Sequence, residues 1–226
     1  MSRRPYFAVA IDGPASSGKG TVARLVAREL NFAYIDTGAM YRAVALLASR
    51  RGVSWDDGDM LGLVAAGLKF DFRWGGDALE IRVDGEDISA EIRGESVGQG
   101  ASAVARFPLV RAALLGRQRQ LSEQGDVVMD GRDIGTVVLP GAALKVYLDA
   151  NLEERARRRH LEMVERGEAA EYASVHRELA ARDAQDMGRA AAPLKAADDA
   201  VRLDTTGLTP GDAAARVVAL ARARGA

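Results

Sequence analysis

The sequence has no cysteine, so disulfides, thiolate metal sites and cysteine nucleophiles are excluded. This fits a reducing cytoplasm, the expected compartment. Only two histidines occur, His160 and His176, both in charged, helix-like stretches without metal-ligand spacing, so a transition-metal centre is not expected. No apolar run approaches the roughly 18 residues a bilayer span requires, and no membrane partner is expected. Nor is there an excess of positive charge, since 31 basic residues meet 32 acidic ones. A nucleic-acid coat is therefore not expected, and any binding of phosphate must be local.

What is present is a 226-residue chain with 48% hydrophobic residues, enough for one substantial core. Arg3 and Arg4 before the apolar run Phe7 to Ile11 imitate the start of a signal peptide, but that run is too short and leads straight into a glycine-rich loop. It reads as a first strand. Further strands are expected over Ala33 to Ile35, Val127 to Met129, Leu144 to Leu148 and Ala200 to Leu203. Helical patterns lie between them, so the fold class is α/β, a doubly wound sheet of about five mainly parallel strands.

Val22, Leu25, Val26 and Leu30 have the spacing of a buried stripe on the first helix. Thr209, Pro210 and Asp212 suit the start of the last one. Between Phe70 and Ile88 the period changes to two: Phe70, Phe72 and Trp74, then Leu79, Ile81 and Val83, punctuated by Gly75-Gly76 and Asp84-Gly85. This is a small antiparallel β insert. Three parts are expected in a single domain: a core (1–36, 112–150, 195–226), an acceptor-binding excursion (37–111) and an arginine-rich lid (151–194).

Gly13-Pro14-Ala15-Ser16-Ser17-Gly18-Lys19-Gly20-Thr21 follows the first strand and opens the first helix. Its glycines let backbone N–H groups converge on one anion, the helix end adds positive potential, and Lys19 adds a full charge. This is a polyphosphate cradle. The hydroxyl residue that usually follows the lysine is displaced by one place, with Gly20 there and Thr21 next. A direct magnesium ligand from the loop is therefore not assigned.

Asp36-Thr37-Gly38-Ala39-Met40-Tyr41-Arg42 also passes from strand to helix, and Arg42 can contact a phosphate in bidentate fashion. A capped helix with a solvated arginine is the plainer alternative. Asp130-Gly131-Arg132-Asp133-Ile134-Gly135-Thr136 ends the Val127 to Met129 strand, where ligands of open α/β sheets bind. Asp130 stands where a Walker B acid would hold Mg²⁺ or its waters; it and Thr21 are assigned only water-mediated contact.

Arg155 to Arg166 is an arginine-rich helix in which Glu153 with Arg157 and Glu154 with Arg158 have pairing distance. For any single arginine there, pairing along a solvated helix is the favoured reading. Further on, Arg182, Asp186 and Arg189 would share one helical face, suited to a phosphorylated sugar.

Together these segments, with Gly85-Glu86-Asp87-Ile88-Ser89, Phe107-Pro108, Arg111 and Arg-Ala-Ala-Ala-Pro-Leu, resemble the bacterial cytidylate kinases, a branch of the nucleoside monophosphate kinases. The likeness runs nearly the whole length, and the β insert is characteristic of that family. It implies γ-phosphate transfer from ATP with Mg²⁺ to CMP or dCMP, by a monomer acting on small-molecule nucleotides. It further implies that Ser102, Arg111 and Asp133 surround the cytosine, that Arg182 and Asp186 reach the sugar, and that Thr37 offers a hydroxyl in the acceptor site. Tyr41, Arg42, Arg132 and Arg189 would surround the acceptor phosphate. Lys19, Arg132 and Arg189 become the catalytic residues, and Arg158, in the lid-like region with Arg155 and Arg159, joins residues 13–21 in binding ATP. A small-metabolite hydroxyl kinase with Asp36 as base, and a GTP-hydrolysing switch, are the rival readings. The second lacks an Asn-Lys-x-Asp motif anywhere.

Overall fold

A computed structural model describes residues 6–75 and 78–226. Arg3, Arg4 and the Gly76 turn position lie outside the described residues.

In chain order the elements are β1 (Ala8–Asp12), α1 (Lys19–Leu30), β2 (Ala33–Asp36), α2 (Thr37–Arg50), α3 (Gly58–Gly67), β3 (Phe70–Gly75), β4 (Ala78–Val83) and β5 (Glu86–Asp87). There follow α4 (Glu95–Val104), α5 (Pro108–Ser122), β6 (Val127–Gly131), a π-helical turn (Ile134–Val138), β7 (Leu144–Asp149), α6 (Leu152–Glu165), α7 (Tyr172–Met187), β8 (Val201–Asp204) and α8 (Pro210–Ala223). Two compact units result, one from the residues up to Tyr34 with Gly125–Ala226, the other from Ile35–Gln124.

The five-stranded sheet has the order β2-β6-β1-β7-β8. Strand β1 pairs in parallel with β6 and β7, and β7 with β8. Every residue of β1 and β6 is buried, as expected of central strands covered on both faces. The chain leaves β1 towards one edge, returns through β6 beside it and continues to β7 on its other side. The carboxyl end of β1 is therefore the switch point, where open α/β sheets form their ligand crevice.

On α1 the buried stripe is Val22, Ala23, Val26 and Ala27, and it packs against α8 and β6. The expectation for Leu25 is corrected, since it is 36% exposed. Ala23 and Ala27 are buried instead, and α8, which packs on α1, buries Ala213, Ala214, Val217, Val218 and Ala221. Helix α8 starts as its sequence indicates: Thr209 is the N-cap, accepting from the Asp212 amide at 3.1 Å, with proline in the first turn.

In the second unit β3, β4 and β5 form the expected antiparallel sheet. Asp84 (φ 52°) and Gly85 (φ 88°) both adopt left-handed backbone between β4 and β5, as a two-residue hairpin turn requires. Arg50 on α2 pairs with Glu86 and Glu91, tying the insert to that helix.

Candidate active site

The cradle begins at Gly13, which must be glycine: a Cβ there would stand 2.1 Å from the Leu148 carbonyl oxygen of β7. Gly18, at φ 83°, supplies the left-handed turn into α1. Lys19 is buried and donates from Nζ to the Pro14 carbonyl at 3.0 Å, spanning the loop from within. Burial, and then the positive charge of Arg132, pull its ammonium down to about 7. Ser17 is wholly buried, and its hydroxyl has no hydrogen-bond partner among the described residues. Thr21 is exposed.

Beside the loop, Asp130 at the end of β6 accepts from the Tyr34 hydroxyl at 2.8 Å. Its Oδ2 would lie 3.8 Å from a Cβ at Gly20, so this carboxylate adjoins the lysine turn where Gly20 leaves room. Among the described residues no three acidic or histidine side chains gather as a metal cage. The Asp130 carboxylate at the lysine turn is an oxygen donor of the kind that suits an ion keeping most of its waters, as Mg²⁺ does.

The Asp130–Thr136 segment continues into the π-helical turn, a local distortion frequent at functional sites. Asp12, the last residue of β1, accepts from the amides of Ile134 and Gly135 at 2.7 and 2.8 Å. Burial pushes its carboxyl up to about 7 in spite of those two bonds. Asp133 is also buried. Asp186, on α7, accepts from Arg132 Nε at 2.7 Å and pairs with Arg189. Burial alone would raise the Asp186 carboxyl, but Arg132 and Arg189 outweigh it and hold it below the usual range. Arg182 acts on Asp186 and Lys19 through its charge, so Lys19, Asp130, Arg132, Arg182 and Asp186 form one electrostatic cluster.

Two expectations for the arginines are corrected. Arg189 is not on the helical face, because α7 ends at Met187 and Gly188 is its C-cap; it reaches Asp186 from the following loop. Arg155 is no solvated helix charge but is buried against Asp183 at 2.5 Å. Glu154, rather than Glu153, collects Arg157 and Arg158, and bonds from Arg157 and then Arg158 hold its carboxyl at about 2. Arg158 also reaches the Thr205 carbonyl at 2.7 Å, and its Nη1 would lie 3.7 Å from a Cβ at Gly18, which puts it beside the phosphate loop.

The remaining expected residues lie in the second unit. Asp36 caps α2 through the Ala39 amide at 2.8 Å and binds Arg42 Nη2 at 2.6 Å. Thr37 and Ser102 are buried, on α2 and α4. The Arg111 guanidinium lies 5.6 Å from the centre of the Tyr41 ring.

Sequence reasoning missed Asp12, Asp183 and Thr205. Asp12 left a trace, an acid closing an apolar strand just before Gly13, and Asp183 lies one turn before Asp186. Nothing local marks Thr205, whose hydroxyl reaches the carbonyls of Ser17 and Asp149 at 3.2 and 2.9 Å.

A glycine loop between the central strand and its helix, an acid ending the neighbouring strand and arginines gathered beyond the sheet define a P-loop phosphotransferase. Within that class the match to known proteins is specific. The chain agrees with the family model for cytidylate kinase over residues 9–223 and belongs to the cytidylate kinase family. It is 49% identical to the cytidylate kinase of Chromobacterium violaceum over 210 residues, 93% of each chain. With that of Geobacillus thermodenitrificans it shares 46% identity over 224 residues, 99% of each chain. A solved structure of an uncharacterized protein from Eubacterium ventriosum matches with a TM-score of 0.51 at 10% identity, covering 96% of this chain and 99% of that one, a likeness of fold alone.

Proposed function

We propose that this chain transfers the γ-phosphate of ATP to CMP or dCMP, giving ADP and CDP or dCDP. The observation that carries this reading is the family match, which spans the phosphate loop, the β insert and the arginine cluster alike. In the step, a non-bridging oxygen of the acceptor phosphate forms a bond to the γ-phosphorus while the bond to the ADP oxygen breaks. That acceptor, with a second pKa of about 6, is largely dianionic at neutral pH and needs no general base.

The residues' task is positioning and charge stabilisation. Lys19 and the backbone N–H groups of residues 13–21, Pro14 excepted, hold the donor phosphates, with Arg158 alongside. Asp130 suits Mg²⁺ through water, and the ion, when bound, neutralises charge on the phosphates. Arg132 and Arg189, kept in place by Asp186, would meet the acceptor phosphate with Arg42 and Tyr41. Asp133, Ser102 and Arg111 are assigned to the cytosine, Arg182 and Asp186 to the sugar, and Thr37 to the acceptor site. The residues of 151–194 would serve as the lid. A cytoplasmic monomer acting on free nucleotides, without nucleic-acid or membrane partners, completes the proposal; no helix among the described residues is long and apolar enough to cross a bilayer.

The hydroxyl-kinase reading is disfavoured by Asp36, whose two oxygens are engaged by the Ala39 amide and Arg42, leaving it poorly placed as a base. The test is ADP formation from ATP, and GDP formation from GTP, with Mg²⁺ and CMP, dCMP, UMP, AMP, GMP, shikimate, gluconate or no acceptor. Turnover mainly with CMP and dCMP is expected. Phosphorylation of an alcohol, or GTP hydrolysis without acceptor, would overturn the proposal.

A further inference from the structure

When backbone N–H groups turn inward to an anion, the loop's carbonyls must find donors elsewhere. Four do so here. Pro14 accepts from Lys19 at 3.0 Å, Gly18 from the Val22 amide at 3.0 Å, Ser17 from Thr205 at 3.2 Å and Ala15 from Arg155 Nη1 at 3.1 Å. The Ala15 contact stands apart, because its donor is a buried guanidinium contributed by α6, outside the loop and its helix.

Arg155 is 6% exposed and is held on two further sides: Nε donates to the Ala150 carbonyl at 2.9 Å and Nη1 to Asp183 Oδ2 at 2.5 Å. Ala15 itself is buried with Ala156 of α6 and Val175 and Leu179 of α7, so its side chain and its carbonyl are both fixed by the same helices. Asp183 is three residues before Asp186, which puts both carboxylates on one face of α7. The first holds the guanidinium that grips the phosphate loop. The second holds Arg132 and Arg189.

We infer that Arg155 and Asp183 are positioning residues that lock the phosphate loop to the turn of α7 ordering Arg132 and Arg189, so that loop and arginine geometry are set together. The inference rests on the phosphotransfer reading for the roles of those two arginines. Stability alone is a poor explanation of the pair, because a well-packed apolar pair replaces a buried ion pair without loss in many proteins. An apolar pair could fill the space but could not donate to Ala15.

The test compares the wild-type chain, Arg155→Lys, Asp183→Asn and the paired Arg155→Met/Asp183→Leu variant. Thermal midpoint, kcat, both KM values and equilibrium binding of a non-hydrolysable ATP analogue are measured. The paired variant should melt within a few degrees of wild type, yet lose about tenfold or more in kcat and bind the analogue several-fold more weakly. Arg155→Lys, which keeps a charged donor, should stay within about threefold of wild type in both. Wild-type kcat and analogue affinity in a folded paired variant would overturn the inference. Should that variant not fold, Asp183→Asn decides: about a threefold or greater loss in both readouts supports the inference, and no change overturns it. If wild type fails to phosphorylate CMP, the functional proposal falls instead, and analogue binding, which needs no acceptor, still judges the pair.

Discussion

Asp186 Oδ2 lies 2.7 Å from Arg132 Nε, and its other oxygen meets Arg189, although the aspartate is only 2% exposed. One buried carboxylate therefore carries two guanidiniums. Replacing it with Asn should remove the carboxylate that both guanidiniums share, costing roughly 3–5 kcal/mol in denaturant unfolding. The KM for CMP should rise about tenfold or more through lost positioning of the arginines. The acid sensitivity has a definite sign. Because the folded-state carboxyl is held below its ordinary range, the stability it adds is present above that range and is lost as pH falls through the depressed value. The Asn variant should lose this part of the acid dependence.

Lys19 gives a second pH signature. In the free protein burial, and then the charge of Arg132, hold its ammonium down to about 7, so at pH 8 it is less fully charged than an ordinary lysine. A polyphosphate brought against it favours the charged form and raises its pKa, so the binding of ATP at pH 8 should take up a proton. Uptake should fade towards pH 6, where the lysine is already charged. Calorimetry in buffers of differing ionisation enthalpy reads this directly, and Lys19→Met should remove the lysine's contribution.

Gly13→Ala should disable the loop through geometry alone. The new Cβ would stand 2.1 Å from the backbone oxygen of Leu148, a contact that no side-chain rotation relieves. Loss of ATP-analogue binding by about tenfold or more is expected, with a destabilisation of roughly 1–3 kcal/mol in denaturant unfolding.

Asp133 is buried within the Asp130–Thr136 segment, and the Ile134 and Gly135 amides next to it are anchored by Asp12. If it reads the cytosine, Asp133→Ala should lower kcat/KM for CMP about tenfold or more relative to UMP, since a site built to hydrogen-bond its ligand discriminates strongly. Parallel acceptor kinetics measure the ratio.

What could be read from the sequence was whatever has a local pattern. The apolar runs of β1, β6 and β7 give the sheet, the glycines and Lys19 give the cradle, and the Asp84-Gly85 turn gives the β insert. Where the structure differed, the deciding information lay elsewhere in the chain. Ala23 and Ala27 are buried and Leu25 is not, because which side of α1 is covered depends on α8 and β6, which lie far along the chain. Arg155 reads as one of many helix charges until Asp183, 28 residues later, is folded against it. Arg189 keeps the expected periodicity, but Gly188 ends the helix first, and the ion pair with Asp186 returns it to the cluster.

The most direct measurement follows the phosphorus itself. With ATP, Mg²⁺ and CMP, ³¹P NMR should show the β-phosphorus of CDP appearing in step with ADP, with little inorganic phosphate. Inorganic phosphate formed in place of CDP would contradict direct transfer to the nucleotide.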